Sequence, residues 1–228
     1  METVFITGAN RGIGLELTRQ FLASGRNVIA ACRDVAQASQ LRELAPSPEL
    51  ELVELEVTSQ ESLNQLSEKL DGRTIDIVIN NAGVFGPYDT AAEFNDVQGW
   101  LNTFSVNTIA PMQVTSVLLP NLKASEKPKV ITVSSQMGSL HREVQGALAY
   151  RTSKAAVNKA MQILSLELNE HDMIVCPVHP GWVQTDMGGD EADITVAESA
   201  TGLIQVIDAL EMEDSGKFWT WQGKEHPW

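Results

Sequence analysis

Cysteine is scarce in this sequence, and its scarcity limits the kinds of site that the chain can build. Cys32 and Cys176 are the only two cysteines among 228 residues, and both lie in apolar, strand-like runs. Two buried thiols are therefore expected, while a structural disulfide or a cysteine-based metal site is poorly supported. No metal site is predicted.

Long apolar runs and an excess of positive charge are also missing. No run approaches the ~20 apolar residues that a membrane-spanning helix needs. The chain begins Met1-Glu2-Thr3, with an acid where a signal peptide carries positive charge, so a cytoplasmic protein without membrane attachment is expected. The net charge of -14 argues against a wide nucleic-acid-binding face. The negative net charge is compatible with a ligand that carries few phosphates, because backbone N–H groups and one or two local cations can hold them.

Short β-branched runs alternate with longer stretches of helical spacing along the chain. With 43% apolar and 20% charged residues, the composition is that of an ordinary globular protein. The predicted strands are Thr3–Thr7, Asn27–Cys32, Glu51–Val57, Ile75–Asn80, Lys129–Ser134 and Met173–Val178. The predicted helices are Gly12–Ser24, Ala36–Leu44, Ser62–Leu70, Val97–Lys123, Ala149–Glu170 and Val196–Leu210. This alternation predicts an α/β fold, with a single doubly wound parallel sheet (a Rossmann fold) and helices on both faces.

A glycine-rich turn follows the first predicted strand and leads directly into the first predicted helix. It reads Thr7-Gly8-Ala9-Asn10-Arg11-Gly12-Ile13-Gly14, with the spacing G-x-x-x-G-x-G. Glycines here allow a tight turn, bring the backbone against a pyrophosphate and pack the helix closely on the sheet. The helix dipole favours phosphates at that end. A glycine triplet alone could be a plain turn, but its place between a strand and an amphipathic helix favours a dinucleotide site.

A tyrosine and a lysine lie four residues apart in the fifth predicted helix, where positions i and i+4 share a face. The segment reads Tyr150-Arg151-Thr152-Ser153-Lys154. A free phenol titrates near about 10, and a lysine cation beside an oxidised nicotinamide is expected to lower that pKa toward neutral pH. Such a pair usually marks a solvated helix face, so the motif is weak by itself. The chain has only two tyrosines, however.

These motifs resemble those of the short-chain dehydrogenase/reductase family. Four segments follow in the family's order: Thr7-Gly8-x-x-x-Gly12-x-Gly14, Asn80-Asn81-Ala82-Gly83, Tyr150-x-x-x-Lys154 and Pro180-Gly181-x-x-x-Thr185. The resemblance implies one domain over residues 1–228. Its cofactor-binding half covers about 1–125, and its catalytic and substrate half covers about 126–228.

The resemblance also implies a catalytic set of Asn107, Ser135, Tyr150 and Lys154. Ser135 would hydrogen-bond the substrate oxygen and share its developing charge, with Ser139 as the runner-up. Asn107 falls in the middle of a predicted helix, where asparagine is a poor helix former. A local irregularity there, and an ordered water linking to Lys154, would explain the asparagine. The alternative is an exposed helix asparagine, which its apolar neighbours disfavour.

The nature of the dinucleotide depends on the end of the second strand. Enzymes that prefer NAD usually place an acid there to bind the ribose 2′-hydroxyl, and by family resemblance that position is Cys32. Arg33 follows it, and Arg11 projects from the glycine turn. Two converging guanidinium groups would suit a 2′-phosphate, so NADP(H) is predicted and NAD(H) is less favoured. The alternative makes both arginines solvated, with Asp34 serving the ribose or capping the next helix.

Further contacts are implied by the family alone. Glu56 and Val57 resemble the pair that frames the adenine, although Glu56 is longer than the usual aspartate. Asn81, Ala82 and Gly83 would border the adenine and ribose, while Asn80 would tie strands together. In the Pro180–Thr185 segment, the backbone of Val183 would contact the nicotinamide carboxamide. Cofactor contacts are thus expected at Gly8, Asn10, Arg11, Gly12, Ile13, Gly14, Arg33, Glu56, Val57, Asn81, Ala82, Gly83, Tyr150, Lys154, Pro180, Gly181, Val183 and Thr185.

The segment from Gly188 to Ile194 corresponds to the family's substrate lid and is short. A short lid implies an open site, for which the expected substrate contacts are Phe85, His141, Trp182 and Met187. Hydrophobic carbonyls or quinones would fit such a lining. His141 and His179 could also be read as extra acids or bases, which is the less favoured interpretation.

The segment His179–Gly189 and the ending Gly223–Trp228 narrow the resemblance to the C-factor and sniffer-type carbonyl reductases. The implied function is NADP(H)-dependent interconversion of a small carbonyl and its alcohol. The alternative is a dinucleotide-binding regulatory or signalling protein whose turnover is incidental. The intact Asn107, Ser135, Tyr150 and Lys154 favour the enzyme. The helices Val97–Lys123 and Ala149–Glu170 form dimer faces in much of the family, so a homodimer or homotetramer is expected, with a monomer as the alternative because monomeric carbonyl reductases exist.

Overall fold

The computed structural model describes residues 1–88 and 94–228 of the chain. Its centre is a sheet of seven parallel strands in the order β3-β2-β1-β4-β5-β6-β7. The strands are β1 Thr3–Thr7, β2 Asn27–Cys32, β3 Leu50–Glu54, β4 Ile77–Asn80, β5 Lys129–Val133, β6 Ile174–His179 and β7 Trp219–Thr220. The predicted doubly wound parallel sheet is confirmed. β7 was not predicted, because two residues at a sheet edge carry no periodic pattern.

Eight α-helices are described around the sheet. They are α1 Gly12–Ala23, α2 Ser39–Arg42, α3 Gln60–Lys69, α4 Val97–Phe104, α5 Ala110–Val117, α6 Leu119–Lys123, α7 Leu148–Glu167 and α8 Val196–Ala209. The predicted helix over 97–123 is thus divided, and a π-helical turn, Ser105–Ile109, joins α4 to α5. The predicted helix over 36–44 is reduced to the single turn of α2.

Two hydrophobic clusters bury the two faces of the sheet. Alternate β1 residues point to opposite sides, so Val4 and Ile6 join one cluster and Phe5 joins the other. The first cluster includes residues of α1 and α8, and the second includes residues of α3, α5 and α7. Cys32 and Cys176 are buried free thiols, as expected. No helix in the described ranges is long and apolar enough to cross a membrane.

The order of the strands locates the ligand crevice. β1 pairs with β2 on one side and with β4 on the other, so the chain direction across the sheet reverses between β1 and β4. In open α/β sheets, ligands bind outside the carboxyl ends of the strands at this reversal. The glycine turn after β1 and the Asn81–Gly83 segment after β4 both lie at that edge.

Candidate active site

The glycine turn after β1 has the backbone that its sequence predicts. Gly8 and Gly12 have positive φ values of 64° and 53°, which residues with a Cβ rarely adopt. A Cβ on Gly14 would lie 2.3 Å from the carbonyl oxygen of Gly8, so only glycine lets α1 pack this closely on the turn. The N-cap of α1, Arg11, makes no side-chain cap, and the first helical turn has no acid. This helix end therefore fits an anionic ligand such as a pyrophosphate.

Thr7 and Asn81 hold the ends of β1 and β4 together. The Thr7 hydroxyl accepts hydrogen bonds from the backbone N–H groups of Asn81 and Ala82, each at 3.0 Å. The Asn81 amide donates to the carbonyl oxygens of Thr7 and Gly8 at 2.9 and 3.1 Å. The Asn81 side chain therefore shapes the turn, a structural role that the sequence had assigned to Asn80.

The two arginines of the predicted 2′-phosphate site face different carboxylates. The Arg11 guanidinium lies 2.6 Å from a carboxylate oxygen of Asp186, and both side chains are exposed. Arg33, which follows the buried Cys32, has its Nε 4.0 Å from a carboxylate oxygen of Glu56. Exposed ion pairs of this kind contribute little stability. Each guanidinium thus lies near a carboxylate in the protein alone, and the convergence of Arg11 and Arg33 on a 2′-phosphate stays a prediction.

The segment after β6 lies against the glycine turn. Gly181 has a φ of 93°, and a Cβ there would lie 2.5 Å from the side chain of Ile194. Val183 is buried and pairs with Ile194 as an isolated parallel bridge. A Cβ on Gly12 would lie 3.4 Å from the methyl group of Thr185. Residues 181–185 therefore border the same crevice as the phosphate-binding turn.

Ser135, Tyr150 and Lys154 meet where β5 ends and α7 begins. All three side chains are buried. The Tyr150 hydroxyl is hydrogen-bonded to the Ser135 side chain. The Lys154 ammonium donates to the carbonyl oxygen of Val133 at 2.8 Å and lies 5.7 Å from the centre of the Tyr150 ring. The serine and the tyrosine that the sequence paired are thus in contact.

Burial sets the protonation of this group. It raises the pKa of Tyr150 to about 12, partly offset by the hydrogen bond from Ser135, and it lowers the pKa of Lys154 to about 8. The expectation that Lys154 lowers the tyrosine pKa does not hold in the protein alone. The same burial that keeps the phenol neutral also destabilises the lysine cation. Tyr150 is a neutral phenol with a proton to donate at pH 7.

Asn107 lies in the π-helical turn between α4 and α5, so the predicted local irregularity is confirmed. Its side chain is buried, and both the amide oxygen and the amide nitrogen make hydrogen bonds. The Oδ1 atom accepts from the Val84 N–H at 2.9 Å, and the Nδ2 atom donates to the Val84 carbonyl at 2.8 Å and to the Ser153 hydroxyl at 3.0 Å. A Cβ on Gly83 would lie 3.4 Å from Asn107 Oδ1 and 3.7 Å from Lys154 Nζ, so the three residues are neighbours. The water expected between Asn107 and Lys154 stays a prediction.

The predicted substrate residues have different surroundings. Phe85 stacks on the Tyr150 ring, with 4.9 Å between ring centres. Trp182 and Met187 are large exposed apolar side chains, and the Trp182 indole N–H donates to the carbonyl of Gly188 at 2.8 Å. His141 is exposed, and its backbone N–H donates to the carbonyl of Trp228 at 3.0 Å.

Two residues beside the site were missed by the sequence interpretation. Asp186, in the segment after β6, is the partner of Arg11. Tyr88 stacks on Phe85 with 6.2 Å between ring centres. Its position three residues after Phe85 was the available signal, because a tyrosine is rare in this chain.

The fold, the glycine turn and the buried tyrosine–lysine pair have the arrangement expected of a dinucleotide-binding oxidoreductase. The sequence pattern described as short chain dehydrogenase matches residues 2–221. The chain therefore belongs to the short-chain dehydrogenase family, and it is an oxidoreductase of that family, a class that uses a nicotinamide cofactor.

Three relatives show which members of the family the chain resembles. It is 43% identical over 155 residues to the C-signal of Myxococcus xanthus, covering 68% of this chain and 93% of the relative. The NADPH-bound carbonyl reductase from chicken fatty liver shares 36% identity and a TM-score of 0.93, covering 100% of this chain and 99% of that one. The carbonyl reductase Sniffer of D. melanogaster shares 29% identity and a TM-score of 0.95 over 100% of both chains. The resemblance to C-factor and sniffer-type proteins is confirmed.

Proposed function

We propose that this chain is an NADP(H)-dependent carbonyl reductase with Tyr150 as its general acid/base. The observation that carries the proposal is the buried contact of the Tyr150 hydroxyl with Ser135, one helical turn before the Lys154 ammonium. A neutral phenol can protonate a carbonyl oxygen as negative charge develops on it. The carbonyl reductases among the chain's structural relatives support the same chemistry.

The dinucleotide would supply hydride to the carbonyl carbon, and the chain's own residues would manage the oxygen. Ser135 would donate a hydrogen bond to the carbonyl oxygen, and Tyr150 would transfer its phenolic proton to that oxygen to give the alcohol. The Lys154 cation would stabilise the phenolate until solvent returns a proton. The residues proposed to hold the dinucleotide are those of the glycine turn, Arg33, Glu56 and Val57, Asn81–Gly83, and Pro180–Thr185.

The test is turnover with a panel of carbonyls, including aliphatic aldehydes, aryl ketones and quinones. Oxidation of NADPH is followed by absorbance for the wild type and for Tyr150→Phe, which removes only the hydroxyl. We expect Tyr150→Phe to lose kcat by roughly 10²–10⁴-fold, with NADPH affinity retained. Micromolar NADPH binding without turnover on any carbonyl would contradict the proposal.

We further propose that NADP(H) is preferred over NAD(H). The buried Cys32 stands where an acid would serve an NAD ribose, and Arg33 beside it is exposed and held only loosely by Glu56. Binding of NADPH by the related chicken carbonyl reductase supports this preference. Arg33→Ala is expected to weaken NADPH binding about 10- to 100-fold, since it removes charge-assisted hydrogen bonds, and to leave NADH binding unchanged. Calorimetric titration of both cofactors is the measurement. Equal affinities in the wild type would overturn the assignment.

A second candidate is a dinucleotide-binding protein with a signalling role. The 43% identity to the C-signal favours it. The same panel separates the two candidates, because a binding protein would hold NADPH without depending on Tyr150 or Ser135 for any measurable output.

We also propose a homodimer or homotetramer built on α4 and α7. These helices pack together, and each presents exposed apolar side chains: Val97 and Leu101 on α4, Ile163 and Leu166 on α7. Such side chains are typical of an oligomer face. Sedimentation equilibrium of the wild type beside Leu166→Glu tests the proposal, which a monomeric wild type would contradict.

A further inference from the structure

The Tyr150 ring is not alone in the site, because a second aromatic ring lies against it. Phe85 and Tyr150 have ring centres 4.9 Å apart and planes inclined by 20°. The same Phe85 ring is nearly parallel to Tyr88, with centres 6.2 Å apart and planes inclined by 9°. Tyr150 is 8% exposed, whereas Tyr88 is 71% exposed. Phe85 thus connects the buried phenol to an exposed ring near the surface, and we call these three residues the aromatic stack.

The backbone on both sides of the Phe85–Tyr150 contact is held by one residue. Asn107 binds both the N–H and the C=O of Val84, directly before Phe85. Its third hydrogen bond goes to the hydroxyl of Ser153, which in turn donates to the carbonyl of Tyr150 at 2.8 Å. The π-helical turn therefore fixes the two segments that carry the stacked rings.

The outer end of the aromatic stack is also seated. Gly146 has a φ of 82°, and a Cβ there would lie 2.9 Å from the Tyr88 hydroxyl oxygen. Tyr88 therefore rests directly on the backbone just before α7, the helix that carries Tyr150.

We propose that Phe85 is a positioning residue for Tyr150: its ring fixes the orientation of the phenol and shields the phenol from water. The inference rests on the proposed function, in which Tyr150 donates the proton. It changes the expected role of Phe85, which the sequence had placed among the substrate contacts. Offset stacking favours one orientation of the Tyr150 ring against Phe85. The half-buried Phe85 side chain also occupies space beside the phenol that water would otherwise fill. The high pKa of Tyr150, caused mainly by burial, agrees with this shielding.

The first experiment measures the phenol without cofactor or substrate. The chain has two tyrosines, so labelling the ζ-carbon of tyrosine with ¹³C gives two NMR signals, and Tyr88→Phe assigns them. In Phe85→Leu we expect the Tyr150 signal to titrate about one pH unit lower than in the wild type, because water reaches the phenol. Phe94→Leu is the matched control. It removes an exposed ring that contacts Trp100 instead, and it should leave the Tyr150 titration unchanged.

The second experiment separates positioning from substrate contact. With a small aliphatic carbonyl, Phe85→Leu should lower kcat several-fold, up to about tenfold, with KM nearly unchanged. Phe85→Trp retains an aromatic face and should restore most of kcat. Phe85→Met provides a second ringless side chain, so a folding defect in one variant does not decide the outcome.

An unchanged Tyr150 titration in both Phe85→Leu and Phe85→Met would overturn the inference. So would a rise in KM at constant kcat, which marks a plain substrate contact. Absence of turnover in the wild type would instead refute the proposed function, and it would leave the NMR result to be read separately.

Discussion

At the scale of single residues, burial acts in opposite directions on the two ionisable groups of the site. Tyr150 and Lys154 are both almost completely buried. Removal from water disfavours the charged form of each, so the phenol keeps its proton to about pH 12, whereas the ammonium loses one near pH 8. Both groups are protonated at pH 7. That pairing suits a proton donor in carbonyl reduction.

The low pKa of Lys154 predicts an alkaline limit to activity. As the pH rises through about 8, Lys154 becomes neutral and no longer stabilises the phenolate that Tyr150 leaves behind. We expect kcat/KM for carbonyl reduction to fall over this range, and a pH–rate profile measures it.

Lys154→Arg is the comparison for this limit, since a guanidinium does not deprotonate in proteins. Whatever activity the variant retains should lack the fall near pH 8. An identical alkaline limb in both proteins would assign the titration to another group.

At the scale of elements, the decisive feature is the interrupted helix between residues 97 and 123. A π-helical turn is rare and is frequently found at functional sites. Here it carries Asn107, whose side chain accepts a hydrogen bond from the backbone N–H of Val84 in the loop after β4. One π-helical turn hardly changes the apolar periodicity of the sequence, so a continuous helix over residues 97–123 was predicted. Only the misplaced asparagine indicated the break.

Asn107→Ala is expected to reduce stability as well as activity. It removes the partners of the Val84 N–H and C=O groups and of the Ser153 hydroxyl, and unpaired buried groups cost about 1–3 kcal/mol each. We expect a loss of roughly 2–4 kcal/mol in the free energy of unfolding, measured by urea denaturation.

The matched control is Asn102→Ala, on an exposed position of α4. It should change stability by no more than about 0.5 kcal/mol. Equal effects of the two substitutions would show that Asn107 makes no special contribution.

At the scale of the whole molecule, β6 carries a buried histidine between the sheet and the C-terminal segment. His179 is 7% exposed, its Nδ1 has no hydrogen-bond partner among the described residues, and its ring meets that of His226 edge-on. Burial, together with His226 and Arg142, lowers the pKa of His179 to about 3. The His226–Trp228 segment also binds Ser139 and His141 in the loop after Ser135. The C-terminal segment thus contacts both strand β6 and the loop after Ser135.

The lowered pKa of His179 predicts acid-sensitive stability. The unfolded chain binds a proton below about pH 6.5, whereas the folded chain resists protonation until about pH 3. This contribution to stability is complete above pH 6.5 and is lost as the pH falls toward 3. By pH 4.5, about two pH units below the unfolded pKa, the loss should reach about 3 kcal/mol.

Urea denaturation of the wild type and His179→Gln at pH 7.5 and 4.5 measures this effect. Acidic side chains titrate equally in both proteins and cancel, so the variant should lose less stability on acidification. Parallel losses would exclude His179 as the cause.

Much of the molecule was predictable because its patterns are local. Strand β1 and the start of α1 were placed correctly by apolar periodicity and by glycines whose φ values no other residue adopts readily. Strands β1 to β6, five of them inside the sheet, were found because buried parallel strands form continuous β-branched runs. The two-residue β7 was missed since it is defined only by its pairing with β6.

The features of the candidate site can also be separated into those that local sequence patterns predict and those that they do not. The sequence by itself determined the parallel sheet and the glycine turn, because spacing along a strand, turn or helix fixes which side chains share an edge. The choice of Asn107, Ser135, Tyr150 and Lys154 came from the family resemblance and stays a prediction. Only the tertiary structure decided the direction of the Tyr150 pKa, the partners of Arg11 and Arg33, and the stacking of Phe85 on Tyr150. Those properties depend on desolvation and on contacts between residues distant in the chain, which no local pattern records.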